Sequence, residues 1–225
     1  MADEGPVPFE ASLGALADPV RARLQSLQAS DFVARLWRRD PALWKDDEAH
    51  QRVAANRLGW LTSVGAMQAS SQDLDSFALE AEAAGFRTAF LLGMGGSSLC
   101  PEVFATIFGR SEQALDLVVL DTTDPATILA AERAHDPRET LFIASSKSGT
   151  TVETSSLNAY FTERLRAAGV KRPADHFIAI TDPGSPLASL GNAEGFRRVF
   201  LNPADIGGRY SALSFFGLVR RRSWG

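Results

Sequence analysis

Cysteine, histidine and long apolar runs are scarce in this chain of 225 residues. Its one cysteine, Cys100, excludes a disulfide scaffold and a zinc site built on cysteines. The three histidines, at 50, 135 and 176, are scattered, so we do not expect a dedicated metal site. No apolar run approaches the length that spans a bilayer, and the N-terminus MADEGPVPFE carries no apolar signal segment. We therefore expect a cytoplasmic protein without a membrane partner.

An excess of basic charge is also missing. The chain has 23 basic against 27 acidic residues, a formal net charge of −4. Non-specific nucleic-acid binders carry a basic excess, so nucleic acid is not an expected partner. Hydrophobic residues make up 45% of the chain, which is enough for a core and too many for a disordered protein.

Residues 1–86 have the pattern of successive helices. Asp18 and Asp40 each precede a proline, an arrangement that suits a helix N-cap followed by its first turn. Apolar residues at helical spacing predict one helix between residues 46 and 67 and another over 71–84. The sequence therefore predicts an α-helical lead-in over residues 1–86.

After Gly85 the pattern changes to short apolar segments rich in β-branched and aromatic residues. Such segments are typical of strands buried on both faces, and they lie at 88–94, 115–121, 140–146, 176–181 and 197–202. Helical patterns separate them, at 97–108, 125–134, 151–168 and 186–194. This alternation predicts right-handed crossovers and parallel strands. The expected fold class is α/β, a doubly wound five-stranded parallel sheet over residues 87–219.

Ligands of such sheets bind at the carboxyl ends of the strands, and the first strand is followed there by a glycine turn. The turn reads GMGGSS over residues 93–98, and its exposed N–H groups suit an anion. Its spacing is not GxGxxG, but Asp121 ends the second strand and leaves a dinucleotide interpretation open. Packing alone would explain such a turn about as well.

The third strand is followed by a loop rich in hydroxyls, SSKSGTT over residues 145–151. Its hydroxyls, the ammonium of Lys147 and a following helix N-terminus suit a phosphate monoester. The loop is not a P-loop, because GxxxxGK[ST] is absent, so ATP hydrolysis is disfavoured. A capping box of Thr150 and Glu153 is the structural alternative, but it would leave the lysine and the other hydroxyls unexplained.

The fifth strand is followed by GGRYS over residues 207–211, before an apolar helix. Two glycines here present Arg209 at a helix start, where a guanidinium suits an oxyanion or a carboxylate. A surface arginine after a flexible turn is the alternative interpretation.

Together the three strand ends resemble the glucose-6-phosphate isomerase family, which is built on sugar isomerase (SIS) domains. LLGMGGSSLCPE is similar to the family's GIGGS-x-LGP segment, SSKSGTTVET to its phosphate loop SK-x-x-TT-x-ET, and GGRYSALSFFGL to its GGR-[YF]-S-x-x-S-x-x-GL segment. The resemblance covers about residues 47–219. It is also similar to the isomerase half of bifunctional transaldolase/glucose-6-phosphate isomerase proteins, although residues 1–86 are too few for a transaldolase barrel.

The resemblance implies reversible isomerisation of glucose 6-phosphate and fructose 6-phosphate, a step of glycolysis and gluconeogenesis. It implies a phosphosugar substrate, no cofactor, and a homodimer in the intact family. It also implies that the glycine turn lines the sugar, that the hydroxyl loop holds the phosphate, and that Arg209 stabilises the enediolate electrostatically. The residues concerned are Gly95, Gly96 and Ser97 for the sugar, and Ser146, Lys147, Ser148, Thr150 and Thr151 for the phosphate. Ser98 and Gly149 depart from the acid and the phenylalanine that many members have.

Other segments of the family have no counterpart in this sequence. The family's base is a glutamate in an ESNGK-like segment downstream of GGR, and its ring-opening histidine and C-terminal lysine lie further on. Residues 220–225, RRRSWG, form an atypical tail where the family continues an apolar helix into a second domain. We therefore expect a truncated or frame-shifted product, incomplete as an isomerase. A non-catalytic phosphosugar-binding module is the main alternative; a nucleotide-dependent oxidoreductase and a dual phosphoglucose/phosphomannose isomerase rank below it.

Overall fold

The computed structural model describes residues 11–109 and 115–219. The predicted tail at 220–225 lies outside the described residues. By its internal contacts the chain divides into two compact units, Met1–Ala55 and Asn56–Gly225. The division that we made at residue 86 from the sequence pattern stays a prediction.

The first unit is helical, as its sequence predicts. Its helices are α1 (Ala17–Ala29), α2 (Phe32–Trp37) and α3 (Glu48–Ala55). Asp40 caps a short 3-10 turn, because its side chain accepts a hydrogen bond of 2.9 Å from the Ala42 N–H. The prediction for Asp18 was wrong: the N-cap of α1 is Leu16, two residues earlier, so Asp18 lies inside the first turn, where a negative charge still suits the helix dipole.

The helix predicted between residues 46 and 67 is interrupted. The segment contains α3 and then α4 (Ser63–Ala69), separated by residues 56–62. The cause is non-local: Leu58 forms a β-bridge with Ile206, and the Gly59 N–H donates to the Asp205 carbonyl at 2.9 Å.

The second unit alternates strands and helices, and its strands agree with the sequence prediction. They are β1 (Thr88–Gly93), β2 (Asp116–Leu120), β3 (Thr140–Ser145), β4 (Phe177–Thr181) and β5 (Arg198–Leu201). The helices are α4, α5 (Ser71–Ala83), α6 (Leu99–Phe108), α7 (Pro125–Ala134), α8 (Val152–Ala167), α9 (Pro186–Glu194) and α10 (Phe215–Leu218). The predicted α/β class is confirmed.

The sheet is parallel throughout and has the order β2-β1-β3-β4-β5. After β1 the chain adds β2 on one side, then crosses to add β3 on the other. The loops that follow β1 and β3 therefore diverge at a topological switch point, where doubly wound sheets bind ligands.

Each face of the sheet carries its own apolar core, because alternate residues of a strand point to opposite faces. One core packs α4, α5 and α10 on the strands, through side chains that include Phe77, Leu91, Ile143, Phe200 and Phe216. The other packs α8 and α9, through side chains that include Phe90, Phe142, Phe161, Phe177 and Leu187. Phe142 stacks on both Phe161 and Phe177, with ring centroids 4.8 and 5.1 Å apart. These two layers fix the strand ends that carry the site.

Among the described residues, no helix combines the length and the apolar character that a bilayer crossing would need.

Candidate functional site

A cleft of about 550 Å³ opens at the carboxyl ends of the strands in the second unit. Its lining comes from the segment before α4 and from the loops that follow β1, β3, β4 and β5. The lining residues are Asn56, Arg57, Met94, Gly96, Ser97, Lys147, Ser148, Thr151, Asp182, Ala204 and Gly208. The charged members are two cations and one carboxylate, so the described lining favours a ligand that carries negative charge.

The glycine turn after β1 is bonded to the loops around it. Gly95 has a φ of +55°, a conformation that glycine adopts without steric cost. The Ser145 hydroxyl donates to the Ser97 carbonyl at 3.0 Å, which ties the turn to the end of β3. On the other side, the Ser211 hydroxyl donates to the Gly208 carbonyl at 2.6 Å and lies 3.4 Å from the Gly96 carbonyl. The first and third predicted segments thus meet at one wall of the cleft.

The hydroxyl loop after β3 is held by its own side chains. The Ser146 and Thr151 hydroxyls lie 2.8 Å apart, and the Gly149 N–H donates to the Ser146 hydroxyl at 3.1 Å. The Ser148 and Thr150 hydroxyls form a second pair, also at 2.8 Å. These bonds shape the loop before any ligand arrives, and they leave Ser148 and Thr151 on the cleft wall.

The capping box considered for this loop is not formed. Helix α8 begins at Val152, its N-cap is Thr151, and no side chain caps it. Thr150 bonds to Ser148 instead, and Glu153 is exposed. Capping therefore does not account for the hydroxyls of this loop.

Lys147 forms an ion pair with Asp182, the first residue after β4. The Lys147 ammonium donates to Asp182 Oδ2 and, at 3.0 Å, to the Ala204 carbonyl. Both side chains are largely enclosed, with 24% of the lysine and 19% of the aspartate exposed. Burial raises the pKa of Asp182, while the hydrogen bond and charge of Lys147 and the charge of Arg57 oppose that rise.

Two arginines differ in their placement. Arg57, which sequence reasoning did not single out, lies on the cleft wall, and its guanidinium donates to the Asn56 carbonyl at 2.7 Å. Arg209, the predicted enediolate partner, is exposed and is absent from the described lining. The next residue, Tyr210, stacks on Trp60 with ring centroids 5.9 Å apart.

The structure brings most of the predicted phosphate loop and glycine turn to one cleft. The predicted residues on its wall are Gly96, Ser97, Lys147, Ser148 and Thr151; those outside the described lining are Gly95, Ser146, Thr150 and Arg209. Ser146 is buried behind the loop, where it accepts from Gly149. The role of each of these residues stays a prediction.

Asp182 was missed although the sequence carried a signal for it. The pair Asp182-Pro183 directly follows the fourth predicted strand, at the same edge of the sheet as the other site segments. Arg57 gave no comparable signal, because it belongs to a segment that the helical pattern covered. No group of three or more His, Cys, Asp or Glu residues in the described part of the chain could hold a metal ion.

Comparison with known proteins identifies the family of this chain. A family model described as phosphoglucose isomerase matches residues 65–225. The glucose-6-phosphate isomerase of Thermosynechococcus vestitus is 32% identical over 213 residues, which cover 93% of this chain and 37% of that protein. The glucose-6-phosphate isomerase of Thermus thermophilus is 34% identical over 205 residues, 88% of this chain and 47% of that protein.

Two solved structures share this fold. A hypothetical protein of Thermus thermophilus superposes with a TM-score of 0.69 at 30% identity, covering 88% of this chain and 45% of that one. A glucose-6-phosphate isomerase of Chlamydia trachomatis superposes with a TM-score of 0.62 at 28% identity, covering 82% of this chain and 32% of that one. The chain thus spans between about a third and a half of the length of these relatives.

Proposed function

Because this chain belongs to the phosphoglucose isomerase family, we propose that its cleft binds a hexose phosphate as part of glucose-6-phosphate isomerase activity. The aldose and ketose are glucose 6-phosphate and fructose 6-phosphate. One observation carries the proposal: Lys147 and two hydroxyls of its loop line the same cleft as the glycine turn, at the switch point between β1 and β3. The ligand anion and the sugar ring would then contact adjacent walls.

The phosphate would contact the loop that follows β3. Ser148 and Thr151 present hydroxyls there, and Lys147 adds a full positive charge. Hydrogen bonds in which one partner is charged are stronger than neutral ones, so these contacts would be the strongest that the phosphate makes. Arg57 adds a second cation to the cleft lining, from the segment before α4.

The sugar would lie along the glycine turn. Gly96 and Ser97 line that part of the cleft, and Ser97 would offer its hydroxyl to the ligand. Isomerisation moves a proton between C1 and C2 through an enediolate, and Arg209 would stabilise that negative charge. This role requires the Arg209 guanidinium to reach the cleft, whose described lining does not include it.

A base must also be supplied for the proton transfer. Among the described lining residues the acidic one is Asp182, whose Oδ2 accepts from Lys147 and whose Oδ1 is buried. We therefore propose that the described residues provide substrate binding and that the base comes from outside the described lining, in the assembled enzyme, as a homodimer. The same observation favours the second candidate function, a non-catalytic phosphosugar-binding module.

Titration calorimetry with four ligands tests the binding proposal. Glucose 6-phosphate and fructose 6-phosphate should both bind, whereas glucose, which lacks the phosphate, and NAD should release no measurable heat. Binding of NAD without binding of either phosphosugar would overturn the proposal and revive the dinucleotide interpretation of the glycine turn.

A further inference from the structure

The ion pair of Lys147 and Asp182 lies inside the proposed phosphate site. Asp182 therefore competes with the ligand for the same ammonium, and its negative charge opposes the approach of a phosphate. A carboxylate in such a place needs an explanation beyond stability, because a pair that is largely enclosed also loses solvation.

The two residues are joined through the backbone as well as through their side chains. The Asp182 N–H donates to the Lys147 carbonyl at 3.2 Å, and the Thr181 hydroxyl lies 3.4 Å from the same oxygen. The loop after β3 also packs closely against the start of α9, which follows β4. A methyl group built on Gly149 would lie 2.8 Å from the Leu187 nitrogen and 2.9 Å from the Ser185 Cβ. The carboxylate therefore has a fixed position relative to the lysine that it holds.

An ammonium has three N–H donors, and two of them are used here. One donates to Asp182 Oδ2 and one to the Ala204 carbonyl. Lysine has a flexible four-carbon stem, so an unrestrained side chain would lose rotamer freedom when it bound a ligand. A lysine that is already held in place has lost this conformational entropy before the ligand binds, so binding costs less.

We propose that Asp182 is a positioning residue, which together with the Ala204 carbonyl holds the Lys147 ammonium so that its third N–H is left for the phosphate of the ligand. Asp182 itself need not touch the sugar phosphate. Arg57, which also lines the cleft, acts on Asp182 through its charge and offsets the negative charge that Asp182 adds. The inference rests on the proposed function for the identity of the ligand, but the restraint of Lys147 can be measured without any ligand.

The first experiment follows reductive methylation of the lysines in the full chain. There are three, and Lys45 and Lys171 are exposed internal standards. In the wild type Lys147 should react at least about tenfold more slowly than either, because its ammonium is held by two acceptors. In Asp182→Ala its rate should approach theirs, whereas Asp182→Asn, which keeps an acceptor, should stay close to the wild type.

Two further variants make the result decisive. Asp121→Ala removes an exposed carboxylate after β2, at the same edge of the sheet, and should leave the Lys147 rate unchanged. If Asp182→Ala fails to fold, Asp182→Ser replaces it, because a serine hydroxyl is too short to reach the ammonium. A Lys147 rate that stays slow in a folded Asp182→Ala or Asp182→Ser variant would overturn the proposal.

The second experiment is a double-mutant cycle on the affinity for glucose 6-phosphate. Lys147→Ala should weaken binding by about tenfold in the wild type and by less than about threefold in the Asp182→Ala background, since an unheld lysine contributes less. An equal loss in both backgrounds, or tighter binding by Asp182→Ala, would overturn the positioning role.

The two experiments separate two kinds of failure. If the wild type does not bind glucose 6-phosphate, the proposed function fails, while the methylation rates still decide whether Asp182 holds Lys147. If the wild type binds and Lys147 is unaffected by Asp182→Ala, the positioning role alone fails.

Discussion

Gly96 and Gly208 approach each other backbone to backbone: a methyl group built on Gly96 would lie 2.3 Å from the Gly208 carbonyl oxygen. Real carbon atoms do not come that close, so the glycine turn after β1 and the segment before Arg209 can meet only if residue 96 has no side chain. The Ser211 hydroxyl donates to the Gly208 carbonyl and also lies 3.4 Å from the Gly96 carbonyl. The backbone contact between Gly96 and Gly208 therefore lies at the point where the two segments meet in the cleft.

Gly96→Ala should therefore separate these segments. We expect a loss of about 1–3 kcal/mol in the free energy of unfolding, the usual cost of overpacking, together with weaker binding of glucose 6-phosphate. Gly65→Ala is the matched control: Gly65 lies within α4 with open space around its Cα, so alanine should stabilise that helix slightly. Urea unfolding and calorimetry measure both effects, and equal stability of the two variants would contradict this packing account.

Arg57 should contribute to binding through its charge. It is exposed, so the expected loss in Arg57→Ala is small, about threefold in affinity for glucose 6-phosphate at low salt, and it should shrink as salt screens the interaction. Arg87→Ala is the control, because Arg87 precedes β1 at the opposite edge of the sheet. If both variants lose affinity equally, the effect is one of overall charge and not of the cleft.

The raised pKa of Asp182 predicts a specific pH dependence of stability. Burial raises this pKa above 3.8, so the folded state holds the proton more tightly than the unfolded state. The contribution of Asp182 to the free energy of unfolding is fully present below the pKa that this residue has in the unfolded state. It is lost as pH rises through the higher pKa of the folded state. The difference in unfolding free energy between the wild type and Asp182→Asn should therefore fall as pH rises above about 4, and then level off.

Asp124 provides a control of opposite sign. The Thr127 N–H and hydroxyl donate to Asp124 at 2.9 and 2.8 Å, and these bonds lower the pKa of Asp124. The contribution of Asp124 to the free energy of unfolding should be present above the pKa that this residue has in the unfolded state, and it should be lost as pH falls through the folded pKa. If the difference curves for Asp182→Asn and Asp124→Asn have the same slope, the assigned direction for Asp182 is wrong.

Turnover by this polypeptide alone should be very low. A positioned base contributes about 10²–10⁴-fold to such proton transfers, and the described cleft lining offers Asp182 alone as an acid, already paired with Lys147. Phosphate binding that is equal in the ground and transition states does not replace a base. A coupled assay from fructose 6-phosphate to glucose 6-phosphate measures this rate.

Glu153→Gln serves as the control in the same assay. Glu153 is exposed near the start of α8 and lies outside the described lining, so the variant should not change the residual rate. Turnover close to that of full-length relatives, lost in Glu153→Gln, would show that Glu153 is the base.

Local patterns in the sequence predicted the sheet well. Each observed strand lies within its predicted segment, because strands buried on both faces and separated by amphipathic helices leave a strong periodic signal. The interruption at residues 56–62 was not predictable in this way. It depends on the bridge from Leu58 to Ile206, which joins residues far apart in the sequence.

In the site, too, local segments were predictable from the sequence and contacts between distant residues were not. The hydroxyl loop and the glycine turn are contiguous segments, so their composition predicted their place at the strand ends. The pairing of Lys147 with Asp182 joins the ends of two different strands, and the register of β3 and β4 decides whether the two side chains meet. Sequence periodicity does not report which side chains of different strands come into contact, so it could not predict this ion pair.

The most direct test compares glucose 6-phosphate with glucose in the wild type and in Lys147→Ala by titration calorimetry. The account predicts that the wild type binds glucose 6-phosphate and not glucose, and that Lys147→Ala loses about 1–3 kcal/mol of that binding while its fold is unchanged. Lys171→Ala, which removes an exposed lysine, should bind as the wild type does. Equal affinity of the wild type and Lys147→Ala for glucose 6-phosphate would contradict the assignment of the phosphate to this loop.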